Sequence, residues 1–319
     1  MQVVQFKPRP GSRHDSTGPA NVKAADAAPT GATIHPIGVQ AVVHALLAAA
    51  DAAGFAPSIL DSQPWRWRLT GNTLALYLDR GRVIDDVDVD GRLAIISCGA
   101  ALHHARVALA AEGWRLTTNR RLDPADPDRL ASLRLEERSP ADPAEAPLMS
   151  SMPLRRTDRS PVTGPPIAAQ QLKAITAAVR AEETSLHVLY PDEVLDLARV
   201  ASGVPIARPV SGDRSTGAGP AGLADDRGAT FALLYGHTDE PEDWLRAGEA
   251  LSAGWLTATA AGVSMLPLSA AVEVAATRQA VQIMIGCVGY PYLLLRLGLA
   301  TMPSPGPRRE PVAQAVDRR

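Results

Sequence analysis

The sequence predicts an α+β fold of two packed halves, and three features carry that expectation. The chain has 319 residues, more than an ordinary single domain, yet its middle third holds no long flexible linker. Its apolar content of 46% comes mainly from Ala, Leu and Val, with aromatics at only 4%, a composition that favours helix. Helical periods and strand-like alternations interleave, and their order starts over after a stretch rich in Pro, Ala and acids at Ser139 to Pro147. The expected organisation is a disordered tail over 1–37, a first half over 38–150 and a second over 151–319.

In the first half, Val39 to Ala53 repeats apolar residues at helical spacing and stops at Gly54. A loop around Pro57 follows. Trp65, Trp67 and Leu69 then alternate with Arg66 and Arg68, Gly71-Asn72 turns the chain, and Leu74, Leu76 and Leu78 alternate again, the pattern of a hairpin. Gly91 to Gly113 reads as a second helix whose small residues Ser97, Gly99, Ala100 and Ala101 allow close packing, followed by strands near Trp114 to Thr118 and Leu133 to Glu136. In the second half, helices are expected over Ile167 to Ala181, Asp192 to Val200 and Asp243 to Ala261, with strands over Ser185 to Tyr190 and Tyr292 to Leu297. Ala207 to Gly228 and Pro303 to Arg319 are of low complexity and read as loops.

A net charge of −2 without a long Lys/Arg run argues against nucleic-acid or anionic-membrane partners. Two cysteines, Cys98 and Cys287, are too few for a disulfide framework and read as buried small hydrophobes of a reducing, cytoplasmic setting. The first 37 residues lack the apolar run of a signal peptide. Gly286 to Met302 is the most membrane-like stretch, but Gly289, Pro291 and Arg296 interrupt it, so a buried strand is expected there.

Gly217, Gly219 and Gly222 reproduce the spacing of a dinucleotide-binding turn. No apolar strand precedes them, however, and Pro220 interrupts the run, so the segment reads as a flexible loop. Two other segments carry chemistry. Between the first helix and the hairpin, Ala56-Pro57-Ser58-Ile59-Leu60-Asp61-Ser62-Gln63-Pro64-Trp65 is a loop stiffened by two prolines, able to offer a hydroxyl, a carboxylate and an amide to one planar heterocycle. Taken alone, it could equally be a plain helix-to-strand connection. Arg155-Arg156-Thr157-Asp158-Arg159-Ser160-Pro161 packs three arginines and two hydroxyls into six residues, and the fork of arginine suits phosphate oxygens. Its bland alternative is a solvated basic turn.

Together these segments resemble the nitroreductase superfamily, and more closely its Acg-like branch, in which two nitroreductase halves are fused in one chain. The resemblance runs from about Ile37 to Pro311. It rests on the two motifs, on Ser97-Cys98-Gly99-Ala100-Ala101-Leu102, on Glu240-Pro241-Glu242-Asp243-Trp244-Leu245-Arg246-Ala247-Gly248 and on Gly289-Tyr290-Pro291. It implies a nitroreductase-like fold of two pseudo-symmetric halves, each with a central sheet and packed helices, forming a pseudo-dimer within one chain that is compatible with a monomer. It also implies one FMN per chain between the halves. Arg155, Thr157, Arg159 and Arg309 would then grip its phosphate, and Pro57, Ser58, Asp61 and Gln63 would line its ring. The reaction implied is two-electron ping-pong transfer from NAD(P)H to a small-molecule acceptor, a nitroaromatic or quinone, with the flavin rather than a protein nucleophile carrying the chemistry. The alternative is an FMN-sequestering protein with little turnover.

The chain departs from the family at two places. Leu60-Asp61 stands where relatives carry His-Asn, and an ionised carboxylate can only accept where an amide also donates. A helical piece between Val200 and Gly203-Val204-Pro205 is shorter than in relatives, so any lid built there is expected to be looser.

Other polar residues receive blander readings. His103 and His104 point about 100° apart on a helix, so one is expected at a packing interface and one in solvent. Asp85, Asp86, Asp88 and Asp90 read as a solvated turn, Glu249 and Glu273 as surface or capping carboxylates, and the Arg308-Arg309 pair says nothing by itself.

Overall fold

In a computed structural model, the described residues are 38–120, 124–202, 226–286, 288–299 and 316–318. The first half begins with α1 (Val39–Ala53) and the hairpin of β1 (Trp65–Thr70) and β2 (Thr73–Leu78), joined where Gly71 takes φ +57°. It continues with α2 (Arg92–Ala111), β3 (Trp114–Asn119), β4 (Arg129–Arg138) and α3 (Glu145–Ser151). Alternation predicts the hairpin correctly because one face of β1 is buried, Trp65, Trp67 and Leu69 facing in while Arg66 and Thr70 are exposed.

The second half comprises α4 (Ala169–Ala181), β5 (Ser185–Val188), α5 (Pro191–Ser202), β6 (Thr230–Gly236), α6 (Pro241–Ala260), β7 (Val263–Leu268), α7 (Ala270–Glu273), α8 (Ala275–Met284) and β8 (Tyr290–Leu299). A last strand, β9 (Val316–Arg318), pairs in parallel with β1. The first sheet has the order β3-β4-β2-β1-β9 and the second β5-β6-β8-β7. Read from its other edge, the second sheet matches the first four strands of the first sheet, with α4 in the place of α1 and α6 in the place of α2; β9 has no counterpart among the described residues. The fold is therefore α+β with two pseudo-symmetric halves. β6, α7, α8 and β9 were not expected, and α3 begins inside the stretch read as a seam.

The halves are joined where α2 crosses α6. A Cβ added to Gly99 would lie 2.0 Å from the Leu245 carbonyl oxygen, and one added to Gly248 would lie 1.9 Å from that of Ile96. Each glycine thus receives the other helix's backbone, a contact no larger residue permits. The helices also exchange side chains: Leu93 and Ile96 of α2 enter the second core, while Leu245 and Leu256 of α6 enter the first. Each such leucine or isoleucine contributes roughly 1.5–3 kcal/mol by leaving water, so the halves are held by core packing. By length and composition α2 could cross a membrane, but it lies almost wholly buried within the protein.

Candidate functional site

The Pro57 loop leaves α1 through consecutive tight turns, Phe55 and Ala56 donating back to the carbonyls of Ala52 and Ala53. It then makes a short 3-10 turn over Ile59–Asp61. Four non-glycine residues among those described have positive φ, and three are here: Leu60 (48°), Asp61 (57°) and Gln63 (46°). Such conformations cost of order 1–3 kcal/mol each and persist only when the surroundings over-determine them. The surroundings do so. The Ile59 amide donates to Ser97 Oγ at 3.1 Å, that hydroxyl donates to the Leu93 carbonyl at 2.7 Å, the Gln63 amide donates to Ser58 Oγ at 3.1 Å, and Cys98 Sγ donates to the Pro64 carbonyl at 3.2 Å. Burial pushes the Cys98 thiol above its ordinary pKa. It serves as an inert brace. Asp61 and Leu60 project as exposed side chains, while Pro57, Ser58 and Gln63 are half-buried.

The arginine box follows α3. Its first residue turns inward: Arg155 is buried, its guanidinium 4.4 Å over the Trp255 ring of α6, and Nη2 donates to the Phe55 carbonyl at 3.3 Å. The two motifs, a hundred residues apart in sequence, thus meet through one side chain. Thr157 and Arg159 are exposed. Arg309 and Arg308 lie outside the described residues, as do Cys287 and the Gly217, Gly219 and Gly222 loop. The Gly203-Val204-Pro205 turn also falls there.

The donor chemistry on both sides suits a flavin phosphate and ring edge. Ser62 Oγ in the loop and Arg156 Nη1 in the box are both buried, and neither has a hydrogen-bond partner among the described residues. A buried unsatisfied donor costs about 1–3 kcal/mol, and a ligand rich in acceptors would relieve both. The ring carbonyls and phosphate oxygens of FMN are such acceptors.

Sequence reasoning missed what fixes the box. In the sequence Arg296 reads only as an interruption of an apolar run, yet its buried guanidinium pairs with Asp226 through Nη1 (3.0 and 2.9 Å). Through Nη2 it donates to the carbonyls of Asp158 (2.8 Å) and Ser160 (2.9 Å). No local pattern signals a partner seventy residues away.

Three blander readings need correction. His103 and His104 are both buried, each with Nδ1 near Ser252 Oγ (2.8 and 2.9 Å), because α2 is enclosed by both halves and has no solvent face at that level. Burial lowers the His103 pKa to about 4. Glu249 is fully buried: it accepts from Arg106 Nη1 at 2.7 Å and from Arg120 Nε at 2.5 Å, so it is neither a surface nor a capping group. Glu182 joins this cluster. Burial disfavours its charge, but Arg106, His103 and Arg120 together outweigh that and hold its pKa below the ordinary value. Asp88, unlike its exposed neighbours Asp85, Asp86 and Asp90, is buried and accepts the amides of Leu93 and Ala94 at the start of α2. Burial raises its pKa.

No protein-family model matches the chain. Three Mycobacterium tuberculosis proteins are similar to it over most of their lengths. “Putative NAD(P)H nitroreductase Rv3131” is 36% identical over 304 residues, covering 82% of this chain and 88% of its own. “Putative NAD(P)H nitroreductase acg” is 33% identical over 302 residues (81% and 90%), and “Uncharacterized protein Rv3127” is 31% identical over 302 residues (80% and 88%). Among solved structures, NfrA2 of B. megaterium superposes with a TM-score of 0.40 at 15% identity, over 52% of this chain and 72% of its own.

Proposed function

Because the chain belongs to the Acg-like branch of the nitroreductase superfamily, we propose that it is an FMN-dependent oxidoreductase that takes electrons from NAD(P)H and reduces a nitroaromatic or quinone. The observation that carries this reading is the meeting of the two motifs at Arg155, with one orphaned donor, Ser62 Oγ and Arg156 Nη1, on either side. FMN bound there supplies the two-electron chemistry.

The chain's own residues bind and orient. Arg156, Thr157 and Arg159 would present donors to the phosphate, together with Arg309, which lies outside the described residues, and charge-assisted hydrogen bonds of this kind contribute roughly 1.5–3 kcal/mol each. Arg155 shields one flank and ties the box to the loop. Pro57, Ser58, Asp61, Ser62 and Gln63 line the ring edge, with the strained turn aiming their polar groups. Positive charge on the box favours an electron-rich bound ligand, so it bears on potential as well as affinity.

A second reading, sequestration of FMN without efficient turnover, is favoured by one observation: Asp61 holds a carboxylate at the loop where the resemblance leads to an amide. Purified protein, its visible spectrum, the mass of the released chromophore and anaerobic addition of NADH or NADPH separate the two. Bound FMN that bleaches within seconds supports the oxidoreductase. Bound FMN that stays oxidised supports sequestration, and failure to bind FMN on reconstitution overturns both.

A further inference from the structure

We infer that Arg296, with Asp226, is a positioning residue for phosphate recognition, acting through the backbone of the arginine box; this rests on the FMN reading above. Arg296 lies in a strand of the second sheet. It sits in β8 amid Leu293, Leu294, Leu295 and Leu297, all buried, where any apolar residue would serve the sheet. A charge placed there loses its hydration, and only a dense set of partners offsets that cost. Arg296 has that set: both oxygens of Asp226 and two main-chain carbonyls.

Those carbonyls belong to Asp158 and Ser160, the residues on either side of Arg159. Asp226 extends the clamp, since its Oδ1 also accepts the Val162 amide at 2.7 Å. The Val162 carbonyl accepts the Gly228 amide at 2.9 Å. Val162 in turn presses on Gly298 of β8, where an added Cβ would lie 2.5 Å from a Val162 methyl. The chain from 158 to 162 is therefore held at residues 158, 160 and 162, by β8 and by the 226–228 segment that leads into β6, and Arg159, exposed and without a hydrogen bond or ion pair among the described residues, projects from within the held stretch.

A long, free arginine normally loses much of its binding free energy to ordering. Holding its backbone on both sides removes part of that loss and sets the direction from which the guanidinium meets the phosphate. Arg296 touches no ligand in this scheme; it decides how well Arg159 does.

The test compares FMN with riboflavin, which lacks the phosphate, by flavin-fluorescence titration of the full apo chain. Wild type should prefer FMN. In Arg296→Lys, which keeps the charge opposite Asp226 but lacks the fork that reaches both carbonyls, FMN affinity should fall roughly 10–100-fold, the equivalent of one charge-assisted hydrogen bond, while riboflavin affinity stays within about threefold. The double variant Arg296→Gln/Asp226→Asn, which leaves no buried charge unpaired, should show the same selective loss. An unchanged FMN preference in either folded variant overturns the inference, as does a parallel fall for both flavins. Failure of both variants to fold overturns it too, since the pair would then serve the sheet. A wild-type chain that binds the two flavins alike sinks the phosphate reading itself, a result seen before any variant is made.

Discussion

Residues 54–64 and 182–184 make the same connection, from helix to first strand, in two halves that share one frame, yet they are built to opposite ends. The first is long, held by two prolines and by Ser97 of α2, and leaves Ser62 Oγ buried without a partner among the described residues. The second is a three-residue turn in which Glu183, at φ +56°, pairs with Arg246 of α6 at 2.6 Å. Ser97 and Arg246 hold matching places, each one residue beyond the carbonyl that meets the opposite glycine. At one end of the frame polar groups remain available to a ligand. At the other they are consumed by ion pairs, including the buried cluster of Glu182 and Glu249 with Arg106 and Arg120. Symmetry of the frame thus does not extend to the polar groups at its two ends.

The largest expected effect tests the frame. Gly99→Ala and Gly248→Ala should each destabilise by about 3–5 kcal/mol, since backbone, not a movable side chain, occupies the space. Because both act at one crossing, the double variant should cost less than the sum of the two, as urea denaturation would measure. Additive or unequal costs would break the comparison.

Next comes the ion-pair end. Glu249→Gln removes the carboxylate facing Arg106 and Arg120 and should cost about 3 kcal/mol in the same assay, with riboflavin and FMN affinities little changed in the folded fraction.

His103, between the halves, gives the pH dependence. Its folded pKa of about 4 lies below its unfolded value of 6.5, so protonation favours the unfolded chain. The stability it contributes is full above pH 6.5 and is lost as pH falls towards 4, roughly 3 kcal/mol at 1.36 kcal/mol per unit. Glu182, whose pKa is lowered, adds loss in the same direction below its ordinary value. Thermal melts across pH 7 to 4 should show this slope, and His103→Gln should flatten it.

The smallest effect belongs to the strained loop. Leu60→Gly should stabilise the apo protein by up to about 1 kcal/mol, relieving a left-handed leucine, while loosening the loop and weakening FMN. A destabilised variant would mean that the 67% exposed Leu60 side chain makes a contribution these contacts do not reveal.

The sequence discloses most where burial is one-sided. β1 and α1 are read correctly because apolar and polar residues alternate with the right period. β6 is buried along most of its length and so carries no alternation. His103 and Glu249 are misjudged because local sequence cannot show that two helices enclose each other. At the site, the two motifs are legible as chemistry. Arg155 stacking on Trp255, and Arg296 reaching Asp158 and Ser160, depend on contacts of a hundred residues or more and have no local signature.

The central claim is that one end of a symmetric frame holds a flavin and the other does not. Titrating the apo chain with FMN by equilibrium dialysis addresses it directly: the account predicts saturation at one FMN per chain, and saturation at two, or no binding, would contradict it.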